Sequence, residues 1–487
     1  MDIYFTDVFE ISEHDLENYG AFNISLINDL PLFIDPFLLF NSTKPEYIEL
    51  HDQMIRYLRF LRTCSENGTI HEGLLRSWFM FSEVKQNWLG YSLVGNSGSG
   101  LGIKFARALN NNLHSIFLDF GEEQVTSGSH LEKLCLIKDG VGRDNISDFT
   151  TNLIKEFLLN YTQEFAKIYL RPDQRKRVAL NKVRFNYDTF NWERDYFELP
   201  WYNADFIILT PKDILTKDDT WINKSDVVKT FDDVADSISN LELRTQINDY
   251  FARILPEDAK NKDYKNAVSW VVSKFPEFID FYIKYKEENG DEAVSVSETR
   301  VKQVEFLFIK KLKEFVESLH QETGFYSFND EDDTLLETRK RVLFLKDVIE
   351  NKGGHRLFFA NGEPIRRESD LQILFRLTWC ATPSDVSREV NDGRGPVDFK
   401  VSRGRFDKSL VEFKLAKNTH LRRNLEKQAE IYQKASDAPN ALKVILFFSD
   451  NELAKVITIM NDLELHDDPD VILIDGRADN KPSGSKA

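Results

Sequence analysis

The apolar pattern changes period at Gly353-Gly354, and this change constrains the fold more than any other feature of the 487-residue chain. Before the glycine pair the spacing is helical. Val301, Val304, Phe308, Leu312, Phe315 and Leu319 recur at three and four residues, the repeat of one helical face. Residues 225–320 read as consecutive helices, and another is predicted over about 335–350, stopping at the glycines. After the pair, short apolar or alternating runs predict strands at 385–390, 397–402, 409–415, 444–448 and 471–474. Helices are predicted over 368–379, from 420 to about 435, and between the last two strands. Asn391 to Gly395 reads as a hairpin turn, and Pro396 falls at a strand's first residue, where a missing N–H is tolerated. The expected fold is an α/β C-terminal domain, an αβββαβ core with a mixed sheet, attached to a large, mainly helical N-terminal region.

That pattern divides the chain into a mixed α/β region at 1–224, a helical region at 225–350, the α/β domain at 351–476 and a disordered tail at 477–487. With 41% hydrophobic residues there is enough apolar surface for two or three cores. Cys64, Cys135 and Cys380 are far apart, which excludes a disulfide scaffold or a CxxC site. The start, MDIYFTDVFE, lacks the basic and apolar segments of a signal peptide. The apolar stretch Leu30 to Phe40 is broken by Asp35 and two prolines, well short of the ~20 residues that span a bilayer. The expectation is a cytoplasmic protein with no membrane partner.

The net charge of −17 argues against a phosphate-bearing partner for the chain as a whole. Residues 351–440 depart from that balance. They hold 17 Lys and Arg against 12 Asp and Glu, leaving the remainder at 46 against 68, or −22.

The residues with the most chemical content lie in this basic segment. Asp398 opens one strand, in GRGPVDFK, while Glu412 and Lys414 lie on the next, in LVEFKLA. Two residues apart on a strand, Glu412 and Lys414 point the same way, and Val411, Phe413 and Leu415 form the opposite, apolar face. Carboxylates on adjacent strands suit a hard cation such as Mg²⁺, with Mn²⁺ able to substitute. A lysine beside it serves to deprotonate an attacking water or neutralise charge on a phosphate. On the following helix, Leu421, Leu425, Gln428 and Tyr432 fall on one inward stripe, so two polar groups are directed at something polar. Glu368 and Asp370, at the start of the preceding helix, are candidate further ligands. Arg388, Arg394, Arg403, Arg405, Lys417, Arg422 and Arg423 surround these residues in sequence and are candidate contacts to a nucleic-acid backbone.

GRGPVD, EFK and QAEIY, in this element order, resemble the PD-(D/E)XK nuclease superfamily. Gln428-x-x-x-Tyr432 is similar to the motif of its RecB-like and phage-exonuclease-like branches. Val397 separates Pro396 from Asp398, so the literal PD is absent, and the resemblance covers roughly 365–450. It implies Asp398 and Glu412 as metal ligands with Glu368 as the helix-borne acid. Lys414 would be the catalytic lysine, supported by Gln428 and Tyr432. The implied activity is Mg²⁺-dependent hydrolysis of phosphodiesters, with DNA favoured over RNA because no RNA-binding signature is present. By analogy of architecture, the whole chain looks like a prokaryotic restriction or anti-phage defence effector regulated by its N-terminal region, for which a homo-oligomer would suit two-strand cleavage. Alternatives are a working N-terminal sensor or binding module with the nuclease fold as scaffold, and a ribonuclease.

Other signals are weaker. Glu83-Val84-Lys85 repeats the ExK triplet without its partners. The glycine-rich stretch Gly95 to Gly102 lacks the GK[ST] of a phosphate-binding loop and reads as a loop before a helix. Asp139, Asp144 and Asp148 read as a turn near a helix start. The basic run 171–184, followed by aromatics through Tyr202, could form a backbone-tracking groove with stacking rings, but large aromatics are more often core, which is the favoured reading.

Overall fold

The computed structural model describes the chain apart from residues 1–2, 69, 91–100, 117–122, 138–142, 218, 257, 323–324, 327–332, 361–362, 366, 380–384, 388–398, 404–406, 427–439 and 482–487. In the N-terminal region, strand β1 (Leu32–Ile34) is followed by the long strands β2 (Arg175–Asn186) and β3 (Asn191–Tyr202), the short β4 (Asp205–Phe206) and β5 (Leu215–Lys217). β1 pairs antiparallel with β5, while β2, β3 and β4 form an antiparallel ribbon. Sequence pattern alone did not indicate this ribbon, because its positions mix charges and rings on both faces. On the inner face Phe197 and Leu199 are buried and, with Val178, join the core that includes the Lys155–Tyr169 helix. Ahead of the ribbon lie two helices, Arg143–Leu153 and Lys155–Tyr169, broken at Ile154.

From Lys224 to Glu322 the chain is helical, as its spacing predicts. A two-strand pair, β6 (Phe359–Ala360) and β7 (Glu363–Pro364), then precedes a five-stranded C-terminal sheet. That sheet contains β8 (Asp385–Ser387), β9 (Phe399–Arg403), β10 (Asp407–Leu415), β11 (Asn440–Phe447) and β12 (Val471–Asp475). Their order is β12-β11-β10-β9-β8. β10, β11 and β12 run parallel, with β9 antiparallel to both β10 and β8, so the sheet is mixed.

Alternation along β10 explains how this sheet is covered. Ser409, Val411, Phe413 and Leu415 face one layer, formed by the Thr334–Asn351 and Glu368–Trp379 helices. There Thr334 Oγ1 bonds Asp407 (2.6 Å) and Ser409 (2.8 Å), and Phe413 stacks on Phe375 with centroids 3.8 Å apart. The other face of the sheet, represented by Ile445 and Phe447, is covered by Leu421 and Leu425 and by Val456, Ile459 and Met460 of the Asp450–Asp462 helix. Central parallel strands buried on both faces account for the run of apolar residues in β11.

The first layer does not close on itself. One contiguous apolar core runs from Phe5, Phe165 and Leu199 through Val304, Phe308 and Leu312 to Val348, Phe375, Val411 and Val444. The C-terminal sheet therefore shares its core with the N-terminal region. A second core, around the Pro45–Glu66 helix, extends to Tyr282 and Ala293. Beside it two acids are fully buried. Asp35 accepts hydrogen bonds from Phe37 N (3.1 Å) and Trp221 N (2.6 Å), and burial raises its pKa to about 6 despite them. Glu132, also fully buried, has its pKa raised well above 4.5 by burial and then by the charge of Asp35.

A carboxyl that stays protonated in the fold while ionising in the unfolded chain loses stability as pH rises above the unfolded value of 4.5. The slope is about 1.4 kcal/mol per pH unit over that interval. Glu132→Gln is therefore expected to melt higher than wild type at pH 8, with the difference shrinking toward pH 4.5, in thermal scans across that range.

Candidate functional site

Glu412 and Lys414 lie on the β10 face opposite Phe413, as alternation requires. Their side chains are 10% and 11% exposed, and Lys414 Nζ lies 3.1 Å from Glu412 Oε1. In the parallel register Glu412 is opposite Lys443 of β11, whose ammonium donates to the carbonyl of Leu425 (3.2 Å). Glu368, the first residue of its helix, meets the end of β10: Leu415 N donates to one carboxylate oxygen (3.2 Å) and Asn418 Nδ2 to the other (3.0 Å).

These groups set the electrostatics of Glu412. Burial raises its pKa, Lys414 opposes that by charge and hydrogen bond, Glu368 raises it further, and Lys443 lowers it. The four described groups thus hold two carboxylates and two ammoniums within range of one another. Such a neutral, partly dry set strengthens every interaction inside it relative to water.

The other acid of the same helix is engaged elsewhere. Asp370 Oδ2 pairs with Lys217 of β5 at 3.1 Å, both side chains nearly buried, so this candidate ligand ties the helix to the N-terminal region. Lys417 donates to the carbonyl of Ile365 (3.1 Å), and Arg422 pairs with Asp462 (2.7 Å) in an exposed contact. Arg423 is exposed. The backbone of Arg403 lies in β9, opposite Asp407. Asp398, Gln428, Tyr432, Arg388, Arg394 and Arg405 lie outside the described residues, as does the side chain of Arg403. Asp398 immediately precedes Phe399, which pairs with Val411 one residue before Glu412. Among the described residues no group of three or more His, Cys, Asp or Glu is arranged to hold a metal ion.

Two residues at this site escaped the sequence reading. Lys443 could have been found, since a lysine inside the apolar run ALKVILFF is an anomaly in a buried strand. Asn418 carried no such signal; its roles are to hold Glu368 and, through Oδ1, to accept the His420 N–H before residues 421–426 turn helical. The weaker triplet Glu83-Val84-Lys85 is no strand: Lys85 opens a 3₁₀ turn and pairs with Asp205 (3.4 Å). Asp148 lies within the Arg143–Leu153 helix, its pKa raised to about 7 by burial and then by Glu83 and Asp144. Most of the glycine-rich stretch, and Asp139, fall outside the described residues.

Two family models match the chain. Domain of unknown function (DUF8370) covers residues 10–223, and Domain of unknown function (DUF8371) covers residues 334–450. The second match begins at Thr334, the first residue of the helix packed on the C-terminal sheet. No curated protein and no solved structure matches. No helix among the described residues is long and apolar enough to cross a membrane.

Because burial raises the Glu412 pKa, its charge costs stability above the unfolded value of 4.5. Glu412→Gln is expected to raise the melting temperature at pH 8 and to lose that advantage toward pH 4.5, as measured by calorimetry. A melting temperature lowered at pH 8, with the deficit disappearing as pH falls below 4.5, would show that the carboxylate is instead stabilised by Lys414.

Proposed function

We propose that the chain is a Mg²⁺-dependent DNA nuclease whose C-terminal sheet carries the active site. The observation that supports this most strongly is the pair Glu412 and Lys414, side by side on one face of β10 with Glu368 drawn to the strand's end. The mixed sheet, with its central strand flanked by one parallel and one antiparallel neighbour, agrees with the αβββαβ core that the superfamily resemblance implies.

In this reading Glu412, Glu368 and Asp398 hold the cation. The charge balance favours a third acid: Glu412 and Glu368 are already matched by Lys414 and Lys443, so a dication calls for more negative charge than those two supply. Mg²⁺, when bound, supplies Lewis-acid stabilisation of the phosphate oxygens. Lys414 Nζ lies 3.1 Å from Glu412, a position that suits its side chain to neutralise the charge that accumulates on phosphorus oxygens as water attacks and the ester oxygen departs. Gln428 and Tyr432 would orient the attacking water or the phosphate. Arg394, Arg403, Arg405, Lys417, Arg422 and Arg423 remain candidates for the DNA backbone, with the last two exposed and Arg422 already paired.

The shared core and the Lys217–Asp370 pair support control of the site by the N-terminal region, in keeping with a restriction or anti-phage defence effector. The test is incubation of purified full-length protein with supercoiled plasmid and with linear DNA, in Mg²⁺ and in EDTA. Wild type is expected to cut only with metal. Lys414→Ala and Glu412→Gln are expected to lower the rate by about 10²-fold or more. Unchanged cleavage in both variants, or none by wild type on any DNA, would overturn the reading. Loss of the circle marks an endonuclease, and loss of linear DNA alone an exonuclease.

A further inference from the structure

We propose that the outer face of the β2–β3 ribbon is a docking surface for duplex DNA, engaged through its phosphates. The choice of DNA rests on the nuclease reading; the surface itself rests on separate residues. Pairing of Ala179 with Tyr196 and of Arg177 with Glu198 puts Arg177, Ala179, Arg194, Tyr196 and Glu198 on one face, opposite the face that buries Phe197 and Leu199.

Two arginines converge on this face. Their guanidinium carbons lie 5.0 Å (Arg177) and 5.2 Å (Arg194) from the Tyr196 ring centroid, and Arg194 Nη2 donates to Tyr196 Oη at 2.9 Å. The ring is 50% exposed, and its cross-strand partner is the small Ala179, which leaves it uncovered. Nearby acids are engaged by other cations. Glu198 pairs with Arg175 (3.6 Å), and Glu193 with Arg184 (2.7 Å), which also reaches Glu156 (3.1 Å). Among the described residues, neither Arg177 nor Arg194 has an ion pair. In a chain of net charge −17, two exposed guanidiniums beside an open phenol are a local excess of positive charge.

The chemistry of this face selects its occupant. Guanidinium forks match phosphate oxygens, and the major groove of B-DNA admits a two-stranded ribbon. Charges that guard a sheet edge against pairing would account for Arg177 on β2. They would account for Arg194 too, since β3 is paired on its other side only at Trp201 and Tyr202, but not for both guanidiniums converging on one ring.

The test measures binding of the full-length protein to a fluorescent DNA duplex in EDTA, so that no cleavage intervenes, at several salt concentrations. Arg177→Gln/Arg194→Gln is expected to weaken binding and to reduce the slope of log affinity against log salt by about 2, close to one per phosphate contact. Arg177→Lys/Arg194→Lys should restore the slope. Lys284→Gln/Lys302→Gln, which removes equal charge from exposed helix positions, should leave it unchanged. The proposal is overturned if the Gln pair binds as wild type does, if the lysine control reduces the slope equally, or if wild type binds only RNA or no nucleic acid. Duplex binding that depends on the arginines but is never followed by Mg²⁺-dependent cleavage would sink the nuclease reading and leave this surface standing. Cleavage that ignores the arginines would do the reverse.

Discussion

The stack of Phe375 on Phe413 is the contact on which the arrangement at the C-terminal sheet depends. It clamps the Glu368–Trp379 helix to the central strand β10 through the strand's apolar face. Because side chains alternate along a strand, committing Phe413 to that helix commits Glu412 and Lys414 to the other side. The same clamp brings the helix start to the end of β10, where Glu368 accepts from Leu415 N and Asn418 Nδ2. One aromatic pair thus places an acid from a helix next to an acid and a lysine from a strand.

Burial then gives these groups their chemistry. A solvated Glu–Lys pair is worth little, but here both side chains are about nine-tenths removed from water and joined by Glu368 and Lys443. The arrangement trades stability for proximity of like charges, as functional sites commonly do. A second buried pair, Lys217–Asp370, couples the same helix to β5 of the N-terminal region two residues from Glu368. The apolar core continues across the same boundary, so the C-terminal sheet and the N-terminal region share buried side chains as well as this pair.

Where one periodicity dominated, the sequence was readable. The alternation in LVEFKLA indicated β10 and the shared face of Glu412 and Lys414. The three-and-four spacing before Gly353 indicated the helices, and the helix predicted over 368–379 is found with those bounds. Where burial and charge are interleaved, it was not. The β2–β3 ribbon carries charged and aromatic residues at positions of both faces, so no period of two stands out although Phe197 and Leu199 are buried. Asp370 and Glu368 look alike two residues apart. Only their partners, Lys217 and Leu415–Asn418, separate an anchor from a candidate ligand.

Local pattern was enough to specify the helix over 368–379, strand β10, the facing of Glu412 and Lys414, and the local excess of basic residues at 351–440. These follow from covalent geometry and hydrophobic period, which act within one strand or helix turn. Tertiary structure alone decided that Lys443 stands opposite Glu412, that Asn418 holds Glu368, and that Arg177 and Arg194 meet over Tyr196. It also decided that both halves of the chain share a core. Each of these depends on strand register or helix docking between segments distant in sequence, where a shift of one residue would turn every side chain to the opposite face.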